Sequence, residues 1–140
     1  MKNKTIFKIN SNLEFELVIL KNVFYPTYTS KILINSCLKK IKKKSKILDL
    51  GCGSGIVGIS LFKKGFVKEP LYFSDVSRTS IKNVKINATL HNINVIAKAS
   101  SLFSSWKGYK FDYIINDVAG ISEIIASKSQ WYKKISCKTG

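Results

Sequence analysis

The chain has 140 residues, 24 Lys and Arg against 8 Asp and Glu, and a formal net charge of +16. That length fits one domain, and with 45% apolar residues and two prolines the chain can bury a core, which excludes wholesale disorder. No apolar run reaches the roughly 18 residues that a spanning helix needs, so no membrane contact is expected.

In chain order, Thr5 to Ile9 and Leu13 to Leu17 alternate apolar and polar residues around the turn-forming Asn10-Ser11-Asn12, which predicts a β-hairpin. Pro26 breaks that pattern and biases Tyr25 toward extended backbone. A helix is expected over about Thr29 to Lys42, because Ile34, Cys37, Leu38 and Ile41 form one apolar stripe. Lys46 to Leu50 reads as a short apolar strand, followed by the glycine-rich turn Gly51-Cys52-Gly53-Ser54-Gly55 and a helix over Ile56 to Lys64 that stops at Gly65. A second strand, Leu71 to Ser74, ends at Asp75, and a helix follows over Arg78 to His91. Asn94 to Ala97 and Phe111 to Asn116 are the third and fourth strands, and Ile121, Ile124 and Ile125 begin another helical stripe. Strands alternating with helices predict βαβ units and a mostly parallel sheet.

The charge has two readings, attraction to polyanions such as RNA or composition alone, and composition is preferred. Every basic residue but Arg78 is lysine, and the excess of Lys, Ile and Asn is what an AT-rich coding sequence produces. Dedicated phosphate sites favour the bidentate arginine fork. The run Lys39 to Lys44 suits the C-terminus of a helix, where cations complement the dipole. Met1-Lys2-Asn3-Lys4 lacks the apolar stretch of a secretory signal. Cys37, Cys52 and Cys137 form no C-x-x-C pair, so reduced thiols and a cytoplasmic location are expected, with no disulfide framework and no metal site.

In a parallel sheet, ligands bind beyond the carboxyl ends of the strands. Gly51 to Gly55, Asp75, the serines Ser100 and Ser101, and Asn116-Asp117 all fall at such ends. The glycine turn permits close backbone approach, and Asp75 is placed to accept hydrogen bonds from ribose hydroxyls, Ser77 being available as the helix cap. Gly53 to Gly58 matches G-x-G-x-x-G, but that dinucleotide pattern should begin at the strand end, and counting from Gly51 puts Ile56 where the third glycine belongs. A nicotinamide enzyme is therefore disfavoured. His91, on the outer part of a helix, is not expected in catalysis.

Ile47-Leu48-Asp49-Leu50-Gly51-Cys52-Gly53-Ser54-Gly55 resembles the first motif of the Rossmann-like, S-adenosylmethionine-dependent methyltransferases. Phe73 to Ser77 resembles the second motif of that family, and Phe111 to Asp117 its fourth-strand motif. Val23 to Thr27 and Asn83 to Ala88 are similar to segments of release-factor glutamine and ribosomal-RNA guanine methyltransferases. The resemblance implies an α/β, three-layer Rossmann-like methyltransferase sheet, mostly parallel, incomplete at about four core strands, with an N-terminal hairpin. It implies one domain over 1–140, made of a hairpin extension (1–25), a cofactor-binding core (26–126) and a basic tail (127–140). It also implies S-adenosylmethionine as cofactor and an RNA or protein of the translation apparatus as substrate.

Carried over position by position, the resemblance sets Asp49 to orient the glycine turn and to bond the cofactor's amino group, directly or through water, and Gly51, Cys52 and Gly53 against the methionine portion, with Gly55 a further cofactor-binding position. Asp75 would hold the ribose, Val76 would pack on adenine and Ser101 would lie at the adenine edge. Asn116 would lie near the transferred methyl, with Asp117 as a second catalytic candidate. Two departures stand out. Asn116-Asp117-Val118-Ala119-Gly120 lacks the two prolines and the aromatic that relatives acting on planar nitrogens carry. Only four strands are found, leaving the fourth as an apolar edge; the chain is expected to be C-terminally short, as a truncated product or a fragment, or to have that edge covered by a complementing second chain or by the hairpin. A catalytically inactive or partial half-domain that needs such a partner is the alternative. Trp131-Tyr132 is expected as a docking pair.

Overall fold

Alternating side chains in the first twenty residues put every second one on the same face, and that face is buried. In the computed structural model, which describes residues 4–117, β1 (Lys4–Asn10) and β2 (Leu13–Val18) form an antiparallel hairpin. The Asn12 N–H donates to Asn10 Oδ1 (2.9 Å), which fixes the turn. Phe7, Ile9, Leu13, Phe15 and Leu17 face inward.

Next in order are α1 (Tyr28–Lys40), β3 (Ile47–Leu50), α2 (Ile56–Lys63), β4 (Leu71–Asp75), α3 (Arg78–Leu90), β5 (Val95–Ala99) and β6 (Tyr113–Asn116). The last four strands form one parallel sheet in the order β5-β4-β3-β6. The chain runs outward from β3 to β5 and then returns to the other side of β3, so strand order reverses between β3 and β6. That reversal opens a crevice at the carboxyl ends. This is the expected α/β architecture: a parallel four-stranded sheet with three helices and an added hairpin.

Three boundaries differ from expectation by two residues. Helix α1 stops two residues early, because Ile41 turns extended (φ −77°, ψ 120°) and buries its side chain. Strand β5 runs on to Ala99, since its pairing with β4 continues as far as Asp75. Strand β6 begins at Tyr113 rather than Phe111, because the Phe111 ring is drawn against Tyr72 (5.1 Å between centroids).

The two faces of the sheet are covered unequally. Ile47, Leu71, Phe73 and Ile115 share one core with the helices and the hairpin. On the other face Leu48, Leu50 and Tyr72 lie beneath Trp106 from the segment after β5, and the Lys98 ammonium sits 4.7 Å from that indole ring. Along β6, Ile114 is 48% exposed. The hairpin packs against α1, α2 and α3, on the helical layer, so it does not shield the β6 edge. Two asparagines one helical turn apart hold it there. Asn87 accepts from the Val18 N–H (2.8 Å) and donates to the Val18 and Ser54 carbonyls (2.9 Å each), while Asn83 accepts from the Leu20 N–H and donates to the Val18 carbonyl.

Cys37 and Cys52 are free thiols. The stripe Ile121, Ile124 and Ile125, the segment Val118 to Gly120, Trp131-Tyr132, Cys137 and the basic tail lie outside the described residues. Among the described residues no helix is long and apolar enough to cross a membrane, and no group of three or more His, Cys, Asp or Glu is placed to hold a metal ion.

Candidate functional site

The turn after β3 takes its shape from its glycines. Gly51, Gly53 and Gly55 have φ of 73°, 53° and 84°, a region that side chains with a Cβ rarely adopt. Two amides stitch the turn to β4: the Gly51 and Cys52 N–H groups donate to the Ser74 carbonyl (2.8 and 3.0 Å). A third, the Gly53 N–H, donates to Asp75 Oδ2 (2.9 Å). The other carboxylate oxygen of Asp75 accepts from the Ser77 N–H (2.8 Å). Ser77 itself caps α3, its Oγ accepting from the Ser80 N–H (3.3 Å). The capping role is thus filled, and Asp75 is left at the mouth of the crevice.

Asp49 lies beneath the turn, only 2% exposed, and Oδ2 accepts from the Gly58 N–H (2.9 Å). Burial pushes its carboxyl up to about 8, opposed by that hydrogen bond and reinforced by the charges of Asp75 and Asp117. The folded state therefore keeps a proton that an unfolded chain loses near pH 3.8. Between those values the native state binds more protons, so stability falls as pH rises and levels off above about pH 8. Asp49→Asn, which keeps an acceptor for Gly58, is expected to flatten that slope. Above about pH 8 it should be the more stable protein, by a few kcal/mol in order of magnitude. Calorimetric melting between about pH 5 and 9 reads this directly.

Gly58 is held by a steric constraint. A Cβ there would meet the Phe73 ring at 2.7 and 2.9 Å. Gly58→Ala is expected to cost about 1–3 kcal/mol, read as a lower urea midpoint. The Gly53-to-Gly58 spacing thus has a packing cause.

The remaining candidates divide. Asn116 overhangs the turn, its Oδ1 lying 3.4 Å from where a Cβ on Gly51 would stand. Asp117 accepts from Ser30 Oγ of α1 (3.1 Å), which brings a third carboxylate to the same end of the sheet. Cys52 is buried and its thiol is pushed up by desolvation and by Asp49, so it packs rather than reacts. Val76 is 60% exposed just beyond Asp75. Ser101 is exposed, and its neighbour Ser100 makes the tie to β4 through the Asp75 carbonyl (2.9 Å). His91 lies at the end of α3, its Nε2 2.7 Å from the Glu16 carbonyl of the hairpin. The crevice thus gathers Asp49, Gly51 to Gly55, Asp75, Asn116 and Asp117.

Sequence reasoning assigns no part to Ser30, Asn83, Asn87 or Gly58. The asparagines carry a readable signal, the i, i+4 spacing that puts both on one helix face. Ser30 carries none, being 87 residues from its partner.

Comparison with known proteins agrees with this geometry. A curated Methanocaldococcus jannaschii protein named "Putative protein N5-glutamine methyltransferase" is 34% identical over 106 residues, which is 74% of this chain and 51% of that one. The ribosomal protein L11 methyltransferase of Caldicellulosiruptor bescii is 29% identical over 137 residues, 95% of this chain and 40% of that one. This chain therefore spans about half or less of the length of these relatives. Among solved structures, the Thermus thermophilus 16S rRNA N2 G1207 methyltransferase, in complex with AdoMet and guanosine, superposes with a TM-score of 0.72 at 16% identity. That match covers 96% of this chain and 38% of the other. The fold is therefore that of the Rossmann-like methyltransferases. The sequence profile described as Methyltransferase small domain matches residues 16–117, and the chain belongs to that family.

Proposed function

We propose that this chain binds S-adenosylmethionine and takes part in methyl transfer to a component of the translation apparatus, RNA or protein, in the cytoplasm. One observation carries the reading: a positive-φ glycine turn meets Asp49, Asp75, Asn116 and Asp117 at the carboxyl ends of β3, β4 and β6. The donor set fits the cofactor's chemistry. Asp75 and Asp117 bring carboxylates to one crevice above buried Asp49, which can give up its proton when a cation binds, a setting that favours a ligand bearing a sulfonium and an ammonium. The curated relatives named above are methyltransferases, which supports the same reading.

When bound, the cofactor supplies a methyl already activated by positive sulfur. The work left to the protein is alignment and exclusion of water. In this proposal Asp49 orients the turn and receives the amino group, and Gly51, Cys52, Gly53 and Gly55 lie along the methionine portion. Asp75 accepts from the ribose hydroxyls, Val76 covers adenine and Ser101 meets its edge. Asn116 and Asp117 orient the acceptor beside the methyl. The division into a hairpin extension over 1–25, a cofactor-binding core over 26–126 and a basic tail over 127–140 belongs to the same proposal. Titration calorimetry with S-adenosylmethionine tests it. Binding that disappears in Asp75→Ala is expected; no binding by the folded chain would overturn it.

The exposed apolar edge at Tyr113 and Ile114 favours a second reading, a partial domain that transfers methyl only with a complementing chain seated along β6. Transfer of labelled methyl to RNA or to a ribosomal extract by this chain alone would reject it.

A further inference from the structure

Both α1 and α2 stop at the same end of the molecule, the end where β3 and β4 begin. The segments that follow them are sewn together. Ser45 bridges Val67, its N–H donates to the Phe66 carbonyl (3.0 Å), and its own carbonyl accepts from the Lys68 N–H (2.8 Å). Two lysine runs that are separate in sequence therefore become one surface. Five of the six residues from 39 to 44 are lysine, Lys63, Lys64 and Lys68 join them, and all eight are exposed.

No ion pair with an acid is found for these lysines among the described residues. Between residues 39 and 68 the sole acid is Asp49, buried at the opposite end of β3. Two further acids lie at this end, Glu69 next to Lys68 and Asp112 beside Lys46; each accepts one backbone N–H, from Asn94 and from Lys46, and keeps its charge, so eight lysines face two carboxylates. The ion pair found among the described residues, Lys4 with Glu16, belongs to the hairpin. Helix dipoles explain little of this charge. Two helix C-termini carry roughly half a negative charge each, about one charge against eight.

We infer that this lysine-rich end is a docking surface for the phosphate backbone of double-helical RNA. Lysines are compact point charges suited to phosphates and poor at bidentate base reading, so the contact follows the backbone and not the sequence. The lysine segments 39–44 and 63–68 expose no large apolar or aromatic residue of their own; the partly exposed Tyr109 and Tyr113 flank them beside Lys46, on the β6 side. The lysine segments themselves therefore offer neither the run of stacking rings that single strands use nor the apolar wedge of a membrane-binding face. The site carboxylates lie at the far end of the sheet, so a polyanion is attracted to one end and repelled from the other, which orients the encounter. The inference extends the proposed function by choosing RNA as the acceptor's class. Its test needs no cofactor, so either can fail without the other.

The experiment is fluorescence anisotropy of a labelled RNA duplex of about 20 base pairs with the full chain, repeated over a range of salt. The variants are Lys42→Gln/Lys43→Gln/Lys64→Gln and a control that removes the same charge from the outer face of α3, Arg78→Gln/Lys82→Gln/Lys85→Gln. Circular dichroism confirms the fold of each. The first variant is expected to bind at least ~10-fold more weakly near 0.1 M salt and to lower the slope of log K against log salt by about two to three, close to one for each phosphate that is no longer neutralised. The control should keep the slope within about one of the unaltered chain. Equal weakening in both variants would reduce the effect to net charge and overturn the inference. So would salt-independent binding, or tighter binding to anionic phosphatidylserine vesicles through the same lysines.

Discussion

Asp75→Ala should lower affinity for S-adenosylmethionine by at least ~100-fold while leaving the chain folded. The carboxylate has two duties that one substitution separates. In the free protein its oxygens accept from the Gly53 and Ser77 amides, which hold the turn and the start of α3. In the proposed complex the same oxygens also accept from the two ribose hydroxyls. Hydrogen bonds to a charged group contribute about 1.5–3 kcal/mol each, so losing two corresponds to roughly 3–6 kcal/mol and at least two decades of affinity. The fold should lose less, because both amides belong to half-open segments that water can reach. Titration calorimetry beside thermal melting separates the two effects. A variant with unchanged affinity and a lower melting temperature would reduce Asp75 to a staple of the turn. Asp75→Asn, which keeps one acceptor oxygen, should fall between.

Asn87→Ala is expected to have the largest effect on stability. The side chain is fully buried and joins three main-chain groups, the Val18 N–H, the Val18 carbonyl and the Ser54 carbonyl. Alanine removes the partner and leaves the Val18 N–H and the Ser54 carbonyl without it, and Asn83 still serves the Val18 carbonyl. Orphaned buried groups cost about 1–3 kcal/mol apiece, which gives roughly 2–6 kcal/mol for the two and about 7–20 °C in melting temperature for a domain of this size. Leucine at the same position, of similar volume, would not rescue it, because what disappears is hydrogen bonding. Asn83→Ala should cost less, having fewer partners. Urea titrations of the three variants give the order directly.

What can be read from the sequence follows distance along the chain. The glycine turn, Asp75 and the Ser77 cap are local chemistry, and they fold as their neighbours dictate. The place of Asp75 at the end of β4, too, needs only the order strand, turn, helix, strand. Phe111 continues an apolar run and so reads as strand, yet it leaves the strand for a ring cluster with Tyr72 and Trp106 that no window of residues reveals. The hairpin is legible as a hairpin but not in its position, since that depends on Asn87, 69 residues from Val18. The lysine run at residues 39 to 44 looks like dipole compensation when a single helix is in view. Only the pairing of Ser45 with Val67 brings the second run beside it.

The strand order has a consequence for the route by which the chain folds. Strand β3 is central, and its two partners arrive from very different distances. Its partner β4 follows after one helix, whereas Ile47 pairs with Tyr113, 66 residues away. The pairing of Leu71 with Val95 closes only 24 residues. By loop-closure entropy the longer span costs about 0.9 kcal/mol more to close than the shorter, before any contact offsets it. The half formed by β3, β4 and β5 with α2 and α3 can therefore assemble first, and β6 closes onto it last. Asn116 and Asp117 ride on that strand, so the crevice is expected to acquire its second wall late in folding.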